Sequence, residues 1–193
     1  MNDLTEKLKN AVVGIAGLGG LGSTVAIALC RTGIGSLIIA DFDKVEQSNL
    51  NRQHYSINQI GKYKVDAMIE NLRSINPQVK VTAHKIKLIP ENISQIFADA
   101  DVIAECFDKA DQKQVIVETV LTKMKDTPIV TASGLAGFGN SNAIQTKKIS
   151  KRLILVGDSK SGTDSTKLLT AGRVWIAASH QANAIIELLM EKL

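Results

Sequence analysis

A glycine-rich turn and an acidic residue some distance after it are the first features of this sequence that could bind a ligand. Gly17, Gly19 and Gly22 fit the pattern Gly-x-Gly-x-x-Gly between an apolar segment and a helical one. Glycine suits such a turn because a side chain would keep the backbone away from a phosphate group. The start of the next helix adds N–H groups and a positive dipole. Asp41 ends the following apolar segment, where ribose hydroxyls are usually bound. The combination predicts a nucleotide site.

Two cations beyond Asp41 change the chemistry that this site could support. Arg52 lies on a loop after Asn49 and Asn51, and Lys64 begins a helical segment. Arginine can bind phosphate oxygens through two hydrogen bonds, and lysine supplies a point charge. Each could instead pair with a surface carboxylate, which would contribute little. Their occurrence together favours phosphate binding, which suits nucleotide chemistry better than hydride transfer.

Asp108 is the candidate metal ligand. It follows a predicted strand, at the crevice where open α/β sheets bind their ligands. A carboxylate facing a triphosphate is favourable when it holds Mg²⁺, which binds carboxylate and phosphate oxygens. The alternative is that Asp108 caps the helix that begins at Ala110, and the two roles could coexist. Asp111 is the better candidate for a purely structural residue at the helix start.

The cysteines and histidines exclude other kinds of site. Cys30 and Cys106 stand far apart with no Cys-x-x-Cys pair, so a four-cysteine zinc site is excluded and no zinc is expected. Both are predicted to be packed thiols, with a nucleophilic Cys106 as the minor alternative. The histidines show no triad or metal-ligand spacing and are given no catalytic role: His54, His84 and His180.

Alternating strand and helix signals would position these residues. Buried strands are predicted at 11–16, 37–40 and 129–132, and further strands at 79–83, where the residues alternate, and at 101–106. Helices are predicted at 23–32, 64–75, 90–98, 110–125 and 173–193. Two further strands, joined by a basic turn, are predicted at 142–146 and 152–156, and a flexible loop at 157–166. This order predicts an α/β, Rossmann-like doubly wound fold with a mainly parallel sheet and an antiparallel extension near the C-terminus. With no linker or internal repeat, residues 1–193 are predicted to form a single domain.

Composition narrows the classes of partner. A hydrophobic share of 45% with 22% charged residues is normal for a soluble globular protein. The net charge is +4, but the lysines are dispersed and aromatics are only 4%, so no nucleic-acid partner is expected. No apolar run approaches the roughly 20 residues that span a bilayer, and the N-terminus is unlike a secretory signal. A cytoplasmic protein without membrane contact is predicted.

Several longer motifs together resemble the ThiF/MoeB/HesA family, the bacterial relatives of ubiquitin-activating enzymes. They are Gly-x-Gly-Gly-Leu-Gly-Ser, Asp-Phe-Asp-x-Val-Glu-x-Ser-Asn-Leu-Asn-Arg-Gln, the pair Gly61 and Lys64, Phe107-Asp108, and the segments 132–137 and 180–183. The sequence is most similar to the short ThiF proteins associated with thiamine biosynthesis. The resemblance implies that ATP reacts with the C-terminal glycine of a ThiS-like, Gly-Gly-ended sulfur carrier, giving a carrier acyl-adenylate and pyrophosphate.

The resemblance also implies a role for each matching residue. Asp41 would bind the ribose of ATP, while Asp108 would serve Mg²⁺ and the adenylation geometry. The full set of implied ATP-binding residues is Gly17, Gly19, Gly20, Gly22, Asp41, Asp43, Asn49, Arg52 and Lys64. The implied catalytic residues are Asp108, Arg52 and Lys64. A homodimer is expected from the family, sulfur is expected from another protein, and the 157–166 loop is a candidate for gripping the carrier's tail.

Three departures from the family pattern leave alternatives open. Longer members have a zinc site and an N-terminal arginine that enters the neighbouring subunit's site, whereas only lysines precede Ala11 here. The residue after the catalytic aspartate is commonly asparagine but is Lys109 here, which could add a phosphate contact or alter the surroundings of Asp108. One alternative is a nicotinamide-dependent oxidoreductase, which would leave Arg52, Lys64 and Asp108 unexplained. The other is a non-catalytic docking protein for a ubiquitin-like partner.

Overall fold

The computed structural model describes residues 2–162 and 168–191, which form one seven-stranded sheet with helices on both faces. The strands are β1 (Val12–Ala16), β2 (Ser36–Ala40), β3 (Lys80–His84), β4 (Val102–Glu105), β5 (Ile129–Ala132), β6 (Gln145–Ser150) and β7 (Leu153–Gly157). The α-helices are α1 (Asn2–Asn10), α2 (Gly20–Thr32), α3 (Lys64–Ile75), α4 (Ile93–Ile96), α5 (Ala110–Lys123) and α6 (Ala171–Glu191). Short 3₁₀ helices cover Gln47–Asn49, Ile57–Gln59 and Ser141–Ala143.

The sheet has the order β3-β2-β1-β4-β5-β7-β6. All neighbouring strands pair in parallel except β6 and β7, which are antiparallel. The chain builds outward from β1 through β2 to β3, and then returns to place β4 on the other side of β1. The carboxyl ends of β1 and β4 therefore form the switch point at which doubly wound folds bind ligands. The predicted fold class, including the antiparallel extension, is confirmed.

The two faces of the sheet carry separate hydrophobic clusters because successive strand residues point to opposite sides. Leu37 and Ile39 pack into the larger cluster with residues of α2, α3 and α6, whereas Ile38 packs into the smaller one. In the smaller cluster Phe97 lies so close to β1 that a Cβ atom on Gly14 would be 2.7 Å from its ring. None of the helices in the described ranges has the length and apolar character needed to cross a membrane.

Most predicted elements are present, but several boundaries differ. The helix predicted at 90–98 is only α4, because the Asn92 side chain accepts a hydrogen bond from the Ile89 N–H and donates one to the Lys87 carbonyl, which stabilises a turn before it. β6 starts at Gln145 rather than at 142, since residues 141–143 form a 3₁₀ helix. Helix α1 was not predicted. Residues 163–166 of the predicted loop, and 192–193 of the predicted last helix, lie outside the described residues.

Candidate active site

A cavity of about 590 Å³ opens at the carboxyl edge of the sheet, around the switch point between β1 and β4. Its wall is made by the segments that follow β1, β2, β3, β4, β5 and β7. The structure brings together at this wall nearly all the residues that the sequence singled out. They are Gly17, Gly19, Gly20, Asp41, Asp43, Asn49, Arg52, Lys64 and Asp108. Gly22 is the exception and does not line the cavity.

The glycines of the β1–α2 turn serve different purposes. Gly17 has φ +89°, which L side chains rarely adopt, and a Cβ atom on Gly22 would lie 1.9 Å from the Gly17 carbonyl oxygen. Both glycines are therefore required by the turn itself. Gly19 is the N-cap of α2 and has no side-chain cap, which leaves the first N–H groups of the helix at the cavity. A Cβ atom on Gly19 would meet only the Gln53 amide nitrogen, 3.9 Å away, so space for a ligand remains there.

Asp41 is held in place by the backbone around it. One carboxylate oxygen accepts a hydrogen bond from the Leu18 N–H at 2.7 Å, and the other accepts one from the Asp43 N–H at 2.8 Å. Burial raises the pKa of Asp41 above its ordinary value, although the Lys64 charge and these hydrogen bonds act in the opposite direction. Each oxygen keeps a further lone pair that a hydroxyl group in the cavity can reach.

Arg52 lies at the cavity wall, and none of the acidic side chains in residues 2–162 and 168–191 forms an ion pair with it. Its guanidinium group donates to the Asn51 side-chain oxygen at 2.8 Å and to the Ser48 carbonyl at 3.3 Å. Asn49 stabilises the same loop, since its side-chain oxygen accepts a hydrogen bond from the Glu46 N–H at 3.1 Å. The alternative in which Arg52 pairs with a surface carboxylate is therefore wrong, and the guanidinium keeps N–H groups for an anion.

Lys64 is a buried cation that opens α3. Its side chain is 8% exposed and its ammonium group lies 2.9 Å from a carboxylate oxygen of Asp43. Asp43 also lines the cavity. The alternative in which Lys64 pairs with a carboxylate is therefore what the structure shows, and the pair is part of the cavity wall.

Asp108 makes no hydrogen bond or ion pair within residues 2–162 and 168–191, and it is exposed to the cavity. The N-cap of α5 is Lys109, with no side-chain cap, so the capping role considered for Asp108 is wrong. Asp111 lies in the first turn of α5, as expected. Among the described residues no three His, Cys, Asp or Glu side chains cluster as a metal site. A single free carboxylate does fit Mg²⁺, which takes its other ligands from phosphate and water.

The sequence analysis did not identify Glu105, a buried carboxylate three residues before Asp108. Glu105, at the end of β4, is fully buried and accepts hydrogen bonds from the Lys113 ammonium at 3.0 Å, the Phe107 N–H at 2.7 Å and the Thr131 hydroxyl at 2.5 Å. This network links the ends of β4 and β5 to α5 and fixes the loop that carries Asp108. A glutamate inside an otherwise apolar strand was the signal available in the sequence.

Gln53 is a second residue that the sequence analysis did not select. It is buried and lines the cavity, and its side-chain oxygen has no hydrogen-bond partner in the part of the chain that the structure describes. An unsatisfied buried acceptor is costly, so a donor supplied by a ligand would stabilise it. Its position directly after Arg52 in the longest motif could have indicated it.

The sulfur and imidazole groups do not form a catalytic constellation. The Cys106 thiol is buried against Gln181, 4.0 Å from its side-chain oxygen, and burial raises the pKa of Cys106 far above its ordinary value. The prediction of a packed thiol is confirmed for Cys106 and also for Cys30, which is buried. His54, His84 and His180 all lie outside the cavity lining.

The fold and the cavity define a doubly wound α/β protein whose ligand site lies at the switch point, next to a glycine-rich helix start. Within that class the family is specific: the model of the ThiF family matches residues 1–192. This chain belongs to the ThiF family.

Curated relatives agree with this assignment. The chain is 44% identical over 135 residues to the "Adenylyltransferase and sulfurtransferase uba4" of Aspergillus niger, covering 69% of this chain and 27% of that protein. It is 39% identical over 134 residues to the "Adenylyltransferase and sulfurtransferase MOCS3" of Xenopus laevis, covering 69% and 29%. The chain therefore matches less than a third of the length of these relatives.

Solved structures support the fold. The tRNA N6-threonylcarbamoyladenosine dehydratase TcdA of E. coli, in complex with AMP, superposes with a TM-score of 0.88 at 21% identity, covering 98% of this chain and 90% of that one. E. coli MccB with AMPCPP and MccA has a TM-score of 0.76 at 21% identity, covering 97% and 58%. At these identities the comparison establishes the shared fold.

Proposed function

We propose that this chain catalyses the ATP-dependent adenylation of the C-terminal glycine of a ubiquitin-like sulfur carrier protein, releasing pyrophosphate. One observation carries the proposal. A single cavity holds the Asp41 acceptor, the cations Arg52 and Lys64, and the free carboxylate of Asp108 around an open helix start. The names of the curated relatives, adenylyltransferase and sulfurtransferase, support the same chemistry.

The nucleotide is bound by elements on the β2 and β1 side of the cavity. Asp41 accepts hydrogen bonds from the ribose hydroxyls, since its position is fixed by two backbone N–H groups. The N–H groups that begin α2 approach the phosphates beside Gly19 and Gly20. Arg52 and Lys64 add two positive charges on the same side. Placed together, these groups position the α-phosphate for attack.

The reaction needs no nucleophile from the protein. A carboxylate oxygen of the carrier's last residue attacks the α-phosphorus, and the bond from that phosphorus to the oxygen bridging the α- and β-phosphates breaks. Pyrophosphate leaves with the bonding electron pair, and no proton moves in this step. Arg52 and Lys64 stabilise the charge that develops on the transferring and leaving phosphates. When bound by Asp108 and the phosphates, Mg²⁺ would neutralise further negative charge.

The proposal also covers the carrier, the pathway, the source of sulfur and the state of assembly. The carrier is a ThiS-like protein with a Gly-Gly end, the pathway is thiamine thiazole biosynthesis, and sulfur reaches the carrier from another protein. The enzyme acts as a cytoplasmic homodimer, and residues 1–193 form one catalytic domain. Sulfurtransferase in the names of the curated relatives supports a sulfur carrier as the substrate.

The role of Asp108 provides a test of this mechanism. In ATP–pyrophosphate exchange with Mg²⁺ and a Gly-Gly-ended carrier, Asp108→Ala should abolish exchange. Asp126→Ala is the matched control, since Asp126 is an exposed carboxylate outside the cavity. Exchange that survives in Asp108→Ala would remove this mechanism.

Two other outcomes would favour the alternative functions. ATP binding without any carrier-dependent exchange would favour a docking protein that keeps the fold and no longer turns over. Tight NADH binding without ATP affinity, measured by fluorescence titration, would favour an oxidoreductase.

A further inference from the structure

The far wall of the cavity is built from the loops after β5 and β7. In the sheet order, β5 and β7 lie beyond β4, whereas Asp41 follows β2 on the other side of β1. The far wall includes Ser133 and Gly134 after β5 and Ser159 to Gly162 after β7. Since the groups proposed to bind ribose and phosphate lie toward β2 and β1, this wall is left to the second substrate.

The backbone of these loops is held in unfavourable conformations. Among the described residues, Asn140 (φ 41°) and Ser159 (φ 59°) are the non-glycine residues with positive φ. Gly134, after β5, and Gly157, the last residue of β7, also have positive φ. Such conformations persist only where the surroundings enforce them, and they concentrate at functional sites. Contacts with other parts of the structure must therefore hold the two loops in these conformations.

The ion pair of Asp158 and Arg173 provides these contacts. The two side chains are 10% and 6% exposed. The Arg173 guanidinium donates to a carboxylate oxygen of Asp158 at 2.5 Å and to the Gly139 carbonyl at 2.8 Å. The other carboxylate oxygen of Asp158 accepts the N–H groups of Lys160 and Ser161, each at 2.8 Å. One pair thus links the start of α6 to both loops.

The turn held by this pair presents Lys160 to the cavity. The Lys160 ammonium makes no hydrogen bond or ion pair with any residue that the structure describes. Of the other cavity lysines, Lys64 and Lys113 are ion-paired with Asp43 and Glu105, and Lys87 and Lys109 lie on the segments after β3 and β4, so among the described residues Lys160 is the lysine of the far wall. An unpaired cation on the far wall is suited to an anionic second substrate.

We propose that Lys160, positioned by the Asp158–Arg173 pair, binds the C-terminal carboxylate of the carrier as it approaches the nucleotide. The inference rests on the proposed function, in which a carboxylate must come close to a triphosphate of the same charge. A lysine on the side opposite the ribose offsets that repulsion and fixes the direction of approach. The Asp158 carboxylate holds the backbone N–H of Lys160, so the side chain starts from a fixed point at the cavity wall.

A carrier with its C-terminal carboxylate converted to a carboxamide tests this contact directly. The dissociation constants of both carriers are measured by calorimetry, in the presence of a non-hydrolysable ATP analogue, for the wild type, Lys160→Gln and Lys160→Arg. Amidation should weaken binding to the wild type and to Lys160→Arg about tenfold or more, as expected for one hydrogen bond between charged groups. Lys160→Gln should bind both carriers equally weakly. Lys151→Gln, an exposed lysine outside the cavity, is the control and should behave as the wild type.

A loss of carrier affinity on amidation that is equally large in Lys160→Gln and in the wild type would overturn the contact.

The positioning role of the Asp158–Arg173 pair is tested by a separate measurement. Arg173→Lys keeps a charge for Asp158 but cannot span to the Gly139 carbonyl as well, so the KM for carrier should rise while the dissociation constant of ATP stays unchanged. An unchanged KM for carrier would contradict the positioning role. If the wild type shows no carrier-dependent exchange at all, the proposed function fails. If exchange occurs but the effect of amidation does not depend on Lys160, only this inference fails.

Discussion

Adding one methyl group at Gly19 should separate nucleotide binding from folding. Gly19 has φ −72° and ψ −151°, an extended conformation outside the left-handed region that favours glycine. The nearest atom that a new Cβ would meet is the Gln53 amide nitrogen at 3.9 Å, an ordinary van der Waals distance. The methyl group would instead project into the cavity where the phosphates are expected. Gly19→Ala should therefore fold normally and bind ATP poorly.

The two magnitudes can be worked out separately. At an N-cap, alanine is less favourable than glycine by about 0.5–1 kcal/mol. Restricting the unfolded chain recovers about 0.4–1 kcal/mol, so the free energy of unfolding should hardly change. For binding, loss of one hydrogen bond to a charged phosphate costs about 1.5–3 kcal/mol, which raises the dissociation constant of ATP about ten- to a hundredfold.

Gly22→Ala is the matched control with the opposite outcome. Its Cβ would lie 1.9 Å from the Gly17 carbonyl oxygen, so the start of α2 must move away from β1. Overpacking of this kind costs about 3 kcal/mol or more, and the variant should melt at a much lower temperature. Thermal unfolding by circular dichroism and ATP titration by calorimetry measure both effects. A stable Gly19→Ala protein that binds ATP as tightly as the wild type would refute the placement of the phosphates.

Three further predictions follow from single side chains. Lys64→Met should reduce ATP–pyrophosphate exchange about tenfold or more with little change in melting temperature, because Asp43 is half exposed and water can replace its partner. Lys109→Asn should raise the dissociation constant of ATP several-fold at low salt and less at high salt. Lys109 is exposed and forms no ion pair with the described residues, so it acts on phosphate through a screened charge. Burial would raise the pKa of Asp158, but its hydrogen bonds and the Arg173 charge outweigh this and lower the pKa to about 2. The stabilisation is therefore complete above the unfolded pKa of 3.8 and is lost as the pH falls toward 2. Urea unfolding between pH 2 and 5 should show this slope in the wild type and a reduced slope in Asp158→Asn.

Local patterns in the sequence predicted much of the fold. Helix α3 was predicted with its observed bounds, Lys64–Ile75, because its apolar residues follow the helical period and Asn76-Pro77 stops it. Strand β5 was also predicted with its observed bounds, as a short apolar run between polar segments. The glycine turn and Asp41 were found because residue type and spacing within one βαβ unit determine where they lie, and Arg52 was found on the loop that follows this unit.

Features that depend on distant partners were not predictable in this way. Asp158 and Arg173 lie in separate segments, and nothing near either residue in the sequence indicates that they pair. The burial of Gln181, which donates to the carbonyls of Glu105 and Val130, likewise depends on how α6 packs across the sheet. Such contacts are set by tertiary packing rather than by local propensity.

Carrier-dependent ATP–pyrophosphate exchange is the most direct test of the central claim. Radiolabelled pyrophosphate, Mg²⁺ and ATP are incubated with the enzyme and either a Gly-Gly-ended carrier or the same carrier lacking its last glycine. Label should enter ATP only with the complete carrier, because the reversible step requires its terminal carboxylate at the α-phosphorus. Exchange that is absent with the complete carrier, or equal with the truncated one, would contradict adenylation of the carrier's C-terminus.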